Sequence, residues 1–249
     1  MNLRRWFPGL ALLALLAGCS ARGPMLHELG ADELYTLGMQ HFEARKWGDA
    51  IRALEQFASR YPSDPRIQEV RYRIGEAYFE KREYVTASAE LVRLATDYPL
   101  GTYADDARFK TCESYYRLSP KPQLDQEYTL AAIDHCEALV QYFPNSEFAP
   151  KAKELLDDLS RKLAQKAFLS ADYYYRRQAY DSSIIYFEDL LARYPDSEYA
   201  PRALLRLVQI YQRLGYREEM EEAKDRLLRD YPETAEAVQA REITLANGQ

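Results

Sequence analysis

The sequence predicts an all-α, superhelical solenoid of about five stacked helix pairs, closed by a C-terminal capping helix. Three observations predict it. First, an aromatic-proline pair recurs at Tyr61-Pro62, Tyr98-Pro99, Phe143-Pro144, Tyr194-Pro195 and Tyr231-Pro232. The interval is 37 residues from Pro62 to Pro99 and again from Pro195 to Pro232. The gaps between, 45 and 51 residues, are that period lengthened by inserts of 8 and 14. Such a period marks supersecondary units that bury their apolar faces only against their neighbours. Second, Gly38, Ala50 and Pro62 lie 12 apart, as do Gly75, Ala87 and Pro99. The small residues let two paired helices approach closely, and the proline ends the second. Third, the 21 tyrosines fall at helical rather than alternating spacing, so no strand pattern competes.

The first element reads as a bacterial secretion leader. Arg4 and Arg5 are its basic segment, and Trp6 to Ala17 is apolar but short for a membrane span. It ends in Leu16-Ala17-Gly18-Cys19, which is similar to the lipobox read by the lipoprotein signal peptidase. That chemistry needs a thiol, because the sulfur takes a diacylglycerol before cleavage leaves Cys19 as the new N-terminus. The likeness implies a further acyl chain on the amine, and several chains anchor stably where one does not. Ser20 follows in place of the Asp that in such lipoproteins tends to mark inner-membrane retention. Residues 1–18 are therefore expected to be removed, and residues 19–28 to form a lipidated tether on the periplasmic face of the outer membrane.

Removing the two leader arginines from the 33 basic residues leaves 31 against 39 acidic ones, a net charge of −8. That balance argues against nucleic acid and against broad attachment to anionic lipid. No later stretch is long and apolar enough to span a bilayer, so only the lipid is expected to touch the membrane.

From about Leu29 onward the chain reads as helical. In the first repeat Leu34, Leu37, Trp47, Leu54 and Phe57 fill the apolar places; in the second, Ile74, Tyr78, Tyr84, Leu91 and Leu94 do. With the glycine, alanine and proline markers, this pattern resembles the tetratricopeptide repeat, stretched beyond its usual length of about 34 residues. Asp64-Pro65 reads as an N-cap with proline at the first helical position, and Ser146 and Ser197 read as caps as well. Pro150 and Pro201 then fall in a first turn, where a missing donor matters least.

The third repeat runs from about Thr102 to Leu118, breaks at Ser119-Pro120-Lys121-Pro122, and resumes from about Gln126 toward Phe143. Glu147 to Gln178 holds no glycine and no proline beyond Pro150, and reads as one long helix. It would join an N-terminal half of three repeats, residues 29–146, to a C-terminal half of two, residues 147–249. The fifth repeat reads as degenerate, with Gly215 and Ala223 off register and Arg217 in the place of Trp47 or Tyr84. Thr234 to Leu245 would be the capping helix.

Cys112 takes the register place of Gly38 and Gly75, and Cys136 that of Leu54 and Leu91. Both are expected inside the third helix pair. A disulfide suits an oxidising periplasm, while two buried thiols acting as small hydrophobes is the reading favoured here. His135 beside Cys136 has no partners at metal-ligand spacing. There is no glycine-rich phosphate loop, no nucleophile with a base and no cofactor motif, so a non-enzymatic protein is expected.

In this repeat the first helix of each unit makes the concave wall. The place three before the glycine holds Tyr35, Tyr72, Phe109, Phe168 and Leu205; the place four after it holds Phe42, Phe79, Tyr116, Tyr175 and Gln212. Read as an open groove, these columns make an aromatic-lined partner site. Read as packing between successive first helices, they are core. One residue further on, the charge changes sign along the array: Glu43, Glu80, Arg117, Arg176, Arg213. An arginine beside stacked rings can pair with a carboxylate, including a chain terminus.

The combination resembles the BamD family, the stretched-repeat lipoproteins of the β-barrel assembly machinery. It rests on Arg60-Tyr61-Pro62, Tyr115-Tyr116-Arg117-Leu118-Ser119-Pro120, Leu124-Asp125-Gln126, Tyr173-Tyr174-Tyr175, and Tyr180 through Tyr194-Pro195-Asp196-Ser197. The likeness implies a subunit that binds the C-terminal targeting strand of unfolded outer-membrane proteins. Tyr35, Phe42, Tyr72, Phe79, Phe109, Tyr116 and Arg117 are the candidate peptide groove. It also implies docking, mainly through the C-terminal half, on the periplasmic domains of the barrel subunit BamA, alongside other lipoproteins of that machinery. Phe168, Tyr175, Arg176 and Arg213 are the candidates there. The alternative is a lipoprotein adaptor for peptidoglycan and envelope constriction, or for a pilus secretin.

Overall fold

The computed structural model describes residues 25–244; the leader and Cys19 lie outside them. A 3₁₀ turn, Leu26–Glu28, precedes five helix pairs: α1 Ala31–Glu43 with α2 Trp47–Arg60, α3 Ile67–Glu80 with α4 Tyr84–Asp97, α5 Ala104–Leu118 with α6 Glu127–Tyr142, α7 Ala149–Arg176 with α8 Tyr180–Arg193, and α9 Tyr199–Leu214 with α10 Arg217–Asp230. A short helix, α11 Ala235–Glu242, closes the array against α9 and α10. No strand occurs among the described residues. Each helix packs on the next, and the odd-numbered helices also touch one another in succession from α1 to α9.

The aromatic-proline pairs end the even helices. Tyr61, Tyr98, Phe143, Tyr194 and Tyr231 are the C-caps, with φ between −129° and −136°, and each donates its N–H to the carbonyl four residues back. A proline next in sequence pushes the preceding residue out of the α region, which stops the helix there.

The turn inside four of the five pairs is equally regular. Arg45, Arg82, Gln178 and Gly215 share one register place and all adopt positive φ, between 56° and 75°. The following residues, Lys46, Glu83, Ala179 and Tyr216, donate N–H to the carbonyls of His41, Tyr78, Tyr174 and Tyr211 at 2.8–3.0 Å. This is a Schellman closure. Gly215 is therefore not a displaced packing glycine, as its position in the sequence suggests. It is the one glycine at a left-handed place that the other turns fill with side chains at steric cost. The ring pair bracketing the turn also persists. Phe42–Trp47, Phe79–Tyr84 and Tyr175–Tyr180 become Tyr211–Tyr216, shifted by one residue, so Arg217 costs the fifth repeat nothing. That repeat is complete rather than degenerate: α9 buries Leu204, Leu207, Val208 and Ile210, and α10 buries Met220 and Leu227.

The caps differ from expectation. Helix α3 starts at Ile67, and Asp64 lies in the turn ahead of it, accepting from Arg66 N–H at 2.9 Å and from the Arg66 guanidinium at 2.8–2.9 Å. Pro65 likewise precedes the helix. Ser146 accepts from Phe148 N–H at 3.2 Å, whereas Ser197 donates back to the Tyr194 carbonyl. Thr234 caps α11, accepting from Ala237 N–H.

Both inserts meet in one place. Helix α7 runs unbroken for 28 residues, about 42 Å at 1.5 Å per residue, and the insert of eight between α5 and α6 folds onto its middle. Lys162 Nζ donates to Ser119 Oγ at 2.6 Å, and Lys166 Nζ to the Leu124 carbonyl at 2.6 Å. Gln126, buried, donates to the Lys121 and Leu124 carbonyls, and accepts from Thr129. Ala152 and Leu159 of α7 belong to the core of the third repeat, whereas Ala171 belongs to the core of α8 to α11.

Candidate functional site

The odd-helix face is built by a packing rule that recurs with the period. Six of the eight rings at the two candidate places meet a residue of the next odd helix, or of the turn leading into it, thirty-one positions downstream, while Tyr116 meets Asp158 and Lys162 further along α7. Tyr35 lies under the Arg66 guanidinium at 4.8 Å, Phe42 under Arg73 at 5.3 Å, Phe79 under Lys110 Nζ at 4.4 Å, and Tyr175 under Arg206 at 4.5 Å. Tyr72 stacks on Tyr103 at 5.2 Å, and Phe168 meets Tyr199 at 5.6 Å. The insert of eight lengthens the interval for Phe109, which stacks on Phe148 at 4.8 Å. Cation over ring and ring on ring are both favourable, more so when water is excluded.

At part of these columns burial favours the packing reading over the open groove. Tyr72 is 7% exposed, Phe79 9% and Phe109 9%, and Leu205 is buried as well. Tyr72, Phe79 and Phe109 form the contact between successive repeats, where odd helices touch one another, whereas Phe168 and Leu205 also line a cavity of roughly 320 Å³ between α7, α9 and α11. Burial pushes the Tyr72 hydroxyl far above its ordinary range. Tyr35, Phe42 and Tyr116 are half-buried and keep one edge toward solvent. Tyr35 donates to Glu69 at 2.9 Å and Tyr116 to Asp158 at 3.1 Å, and burial with these carboxylates raises both hydroxyls.

The outward layer is therefore cationic rather than aromatic, and most of its cations already hold carboxylates. Arg66 pairs with Asp32 and Asp64, Arg73 with Glu76 at 2.7 Å, and Lys110 with Glu113 at 3.0 Å. Arg117 is the looser partner of Glu113, at 3.5 Å with its side chain 52% exposed. Lys162, nearby, is pulled down from its ordinary range by burial.

In the C-terminal half Phe168 is half-buried between Phe187 and Tyr199, and Tyr175 lies beneath Arg206 and Arg213. Arg176 is exposed and pairs with Asp172 at 3.1 Å; Arg213 donates to the Tyr180 hydroxyl at 3.2 Å. The structure thus brings Tyr175 and Arg213 together, and sets Phe168 at the wall of the cavity of roughly 320 Å³ beside Arg202, Leu205 and Arg206.

Sequence reasoning missed a cleft on the other side of α7, where α6 and α8 diverge. Two adjoining cavities of roughly 330 Å³ and 300 Å³ share Lys166, Ser170 and Tyr186. Tyr173 at 46% and Tyr186 at 41% stand exposed along it, with Pro122 and Gln123 of the insert and Leu130 of α6 also lining it. The signal was available: two inserts in adjacent repeats widen the same gap.

Elsewhere, His135 stacks on Tyr115 at 5.1 Å with its rings 2° from parallel, and burial lowers its pKa. No group of three His, Cys, Asp or Glu side chains converges among the described residues. No described helix is long and apolar enough to cross a membrane.

The family model described as the outer membrane lipoprotein YfiO matches residues 27–227, from the 3₁₀ turn through most of α10. The chain belongs to this family. The outer membrane protein assembly factor BamD of Vibrio cholerae is 28% identical over 227 residues, covering 87% of this chain and 94% of that one. The BamD of Rickettsia prowazekii is 27% identical over 117 residues, 47% of each chain. Among solved structures, the TPR2AB domain of yeast Sti1 aligns at 15% identity and a TM-score of 0.44, covering 85% of this chain and 81% of that one. A score that low bears no weight, and the architecture stands on the helix order and turn register given above.

Proposed function

We propose that the chain is a non-enzymatic, lipid-anchored scaffold for the assembly of outer-membrane β-barrel proteins. The observation that supports this most is the match to the Vibrio cholerae assembly factor over 87% of this chain and 94% of that one. Under this reading Cys19 carries the lipid, residues 29–146 hold the C-terminal targeting segment of an unfolded barrel protein, and residues 147–249 dock on the periplasmic domains of the barrel subunit. Palmitate labelling followed by pull-down from solubilised membranes tests anchor and partner together. Cys19→Ala should leave a folded, unlabelled protein outside the membrane fraction. Wild type should recover a β-barrel protein, and Arg176→Glu with Arg213→Glu should recover less. Recovery of peptidoglycan or of a secretin instead would establish the adaptor reading.

Burial of Tyr72, Phe79 and Phe109 moves the peptide contact outward, to the exposed edges of Tyr35, Phe42 and Tyr116 and to Arg117. A terminal carboxylate meeting Arg117 would compete with Glu113, which already holds Lys110. Hydrogen bonds to charged groups contribute about 1.5–3 kcal/mol, so Arg117→Glu should weaken binding of a phenylalanine-ended peptide at least about tenfold. Amidating the peptide should weaken wild type and leave the variant little changed. Equal affinities in fluorescence anisotropy would remove Arg117 from the site.

A further inference from the structure

The third repeat departs from the first two at the point where its helices touch. In α1 and α3 the packing residue is glycine, seated against a fully buried leucine. A Cβ on Gly38 would fall 2.5 Å from Leu54 Cδ2, and one on Gly75 would fall 2.6 Å from Leu91 Cγ. In α5 and α6 the same register places hold Cys112 and Cys136, joined as a disulfide with Cα atoms 5.0 Å apart. Neither has any exposure. The favoured expectation of two buried thiols is thus corrected: a covalent link stands where the other repeats seat leucine on glycine.

The same repeat has the longest inter-helix connection and packs against the long helix α7. Its inter-helix turn has lost the Schellman geometry to an insert, and longer loops close at greater entropic cost. Its core also receives Ala152 and Leu159, so α5 and α6 hold the first half of α7.

We propose that thiol oxidation locks and stabilises the closed form of this repeat, and that the unfolded chain is a client of an external disulfide donor of the thiol-oxidoreductase class. With both sulfurs inaccessible in the folded state, exchange precedes closure. The Cys112 thiolate attacks one sulfur of the donor disulfide, forming a mixed disulfide and releasing one donor thiolate. The Cys136 thiolate then attacks the Cys112 sulfur, closes the protein disulfide and displaces the second donor thiolate. Two electrons pass to the donor, which leaves as a dithiol with the two protons the cysteines have lost. Cys19, while its thiol is free, offers either cysteine a wrong partner. The inference is independent of the assembly reading, and its test uses neither membrane nor partner.

The full chain carrying Cys19→Ala is reduced, denatured and refolded with oxidised glutathione or with a thiol reductant. Free thiols are counted by maleimide alkylation after denaturation, and melting is followed by circular dichroism. Oxidised glutathione should leave no free thiols. The reductant should leave two, shift the unfolding equilibrium on the order of a hundredfold, and lower the midpoint by about 5–10 °C. Cys112→Ser with Cys136→Ser should melt with the reduced chain. Cys112→Gly with Cys136→Leu rebuilds the contact of the first two repeats, and should melt near the oxidised chain even in reductant. Equal midpoints for oxidised and reduced chains would overturn the proposal, as would two alkylatable thiols in chain taken from cells under acid quench. A Gly–Leu variant that melts with the serine variant would overturn the equivalence on which it rests.

Discussion

Tyr72→Ala combined with Phe79→Ala is expected to unfold the N-terminal repeats rather than to weaken a ligand. Both rings are more than nine-tenths buried, and each has a specific partner in the following repeat. Truncating a buried large aromatic to alanine typically costs about 3–5 kcal/mol, through lost transfer energy and the cavity left behind. Two such losses approach the whole stability of an ordinary domain, about 5–15 kcal/mol. Lys110 would also lose the ring beneath its ammonium, and Tyr103 its stacking partner. Urea unfolding followed by circular dichroism should show a strongly lowered midpoint for the double variant. Tyr35→Ala, at a half-buried ring, should lose far less. A double variant that melts like wild type would return both rings to an open groove.

The period made the architecture legible, because aromatic-proline pairs mark helix ends for a local reason that tertiary context does not override. The same holds for the break at Ser119 to Pro122 and for the single helix α7, where the absence of any breaker decides the matter. What remained hidden depends on contacts between repeats. An aromatic stripe at helical spacing looks the same whether it faces a groove or the next helix, and only the thirty-one-residue pairing of Phe42 with Arg73 or Phe79 with Lys110 distinguishes the two. Those cations were in view in the sequence, but nothing in one helix says which ring they will cover. Gly215 was misread because glycine serves both close packing and left-handed turns, and the turn register becomes visible only when Arg45, Arg82 and Gln178 are seen to share its φ. The cysteine pair was placed correctly, yet register alone cannot separate two neighbouring thiols from a bond.

Ala164→Pro is expected to divide the molecule into two independently melting parts. Ala164 is fully buried near the middle of α7, between Leu159 in the third-repeat core and Ala171 in the core of α8 to α11. A proline there removes the N–H donated to the Ser160 carbonyl and sets its ring against that carbonyl, at a cost of about 3 kcal/mol or more and with a kink. Stability in repeat arrays is a sum of unit and interface terms, so weakening one interface uncouples what lies on either side of it. Differential scanning calorimetry should resolve two transitions in the variant where wild type shows one, and limited proteolysis should gain a cut near residues 160–170. Ala164→Gly provides the control, since it costs only about 1 kcal/mol and keeps the backbone donor, so its single transition should shift without splitting. A fragment ending at Asp158 is no substitute, because it deletes Leu159 and opens the third repeat that it is meant to preserve. If Ala164→Pro melts in one lowered transition as the glycine variant does, α7 is not the element that couples the halves, and the contacts of Lys162 and Lys166 with the insert are sufficient to hold them together.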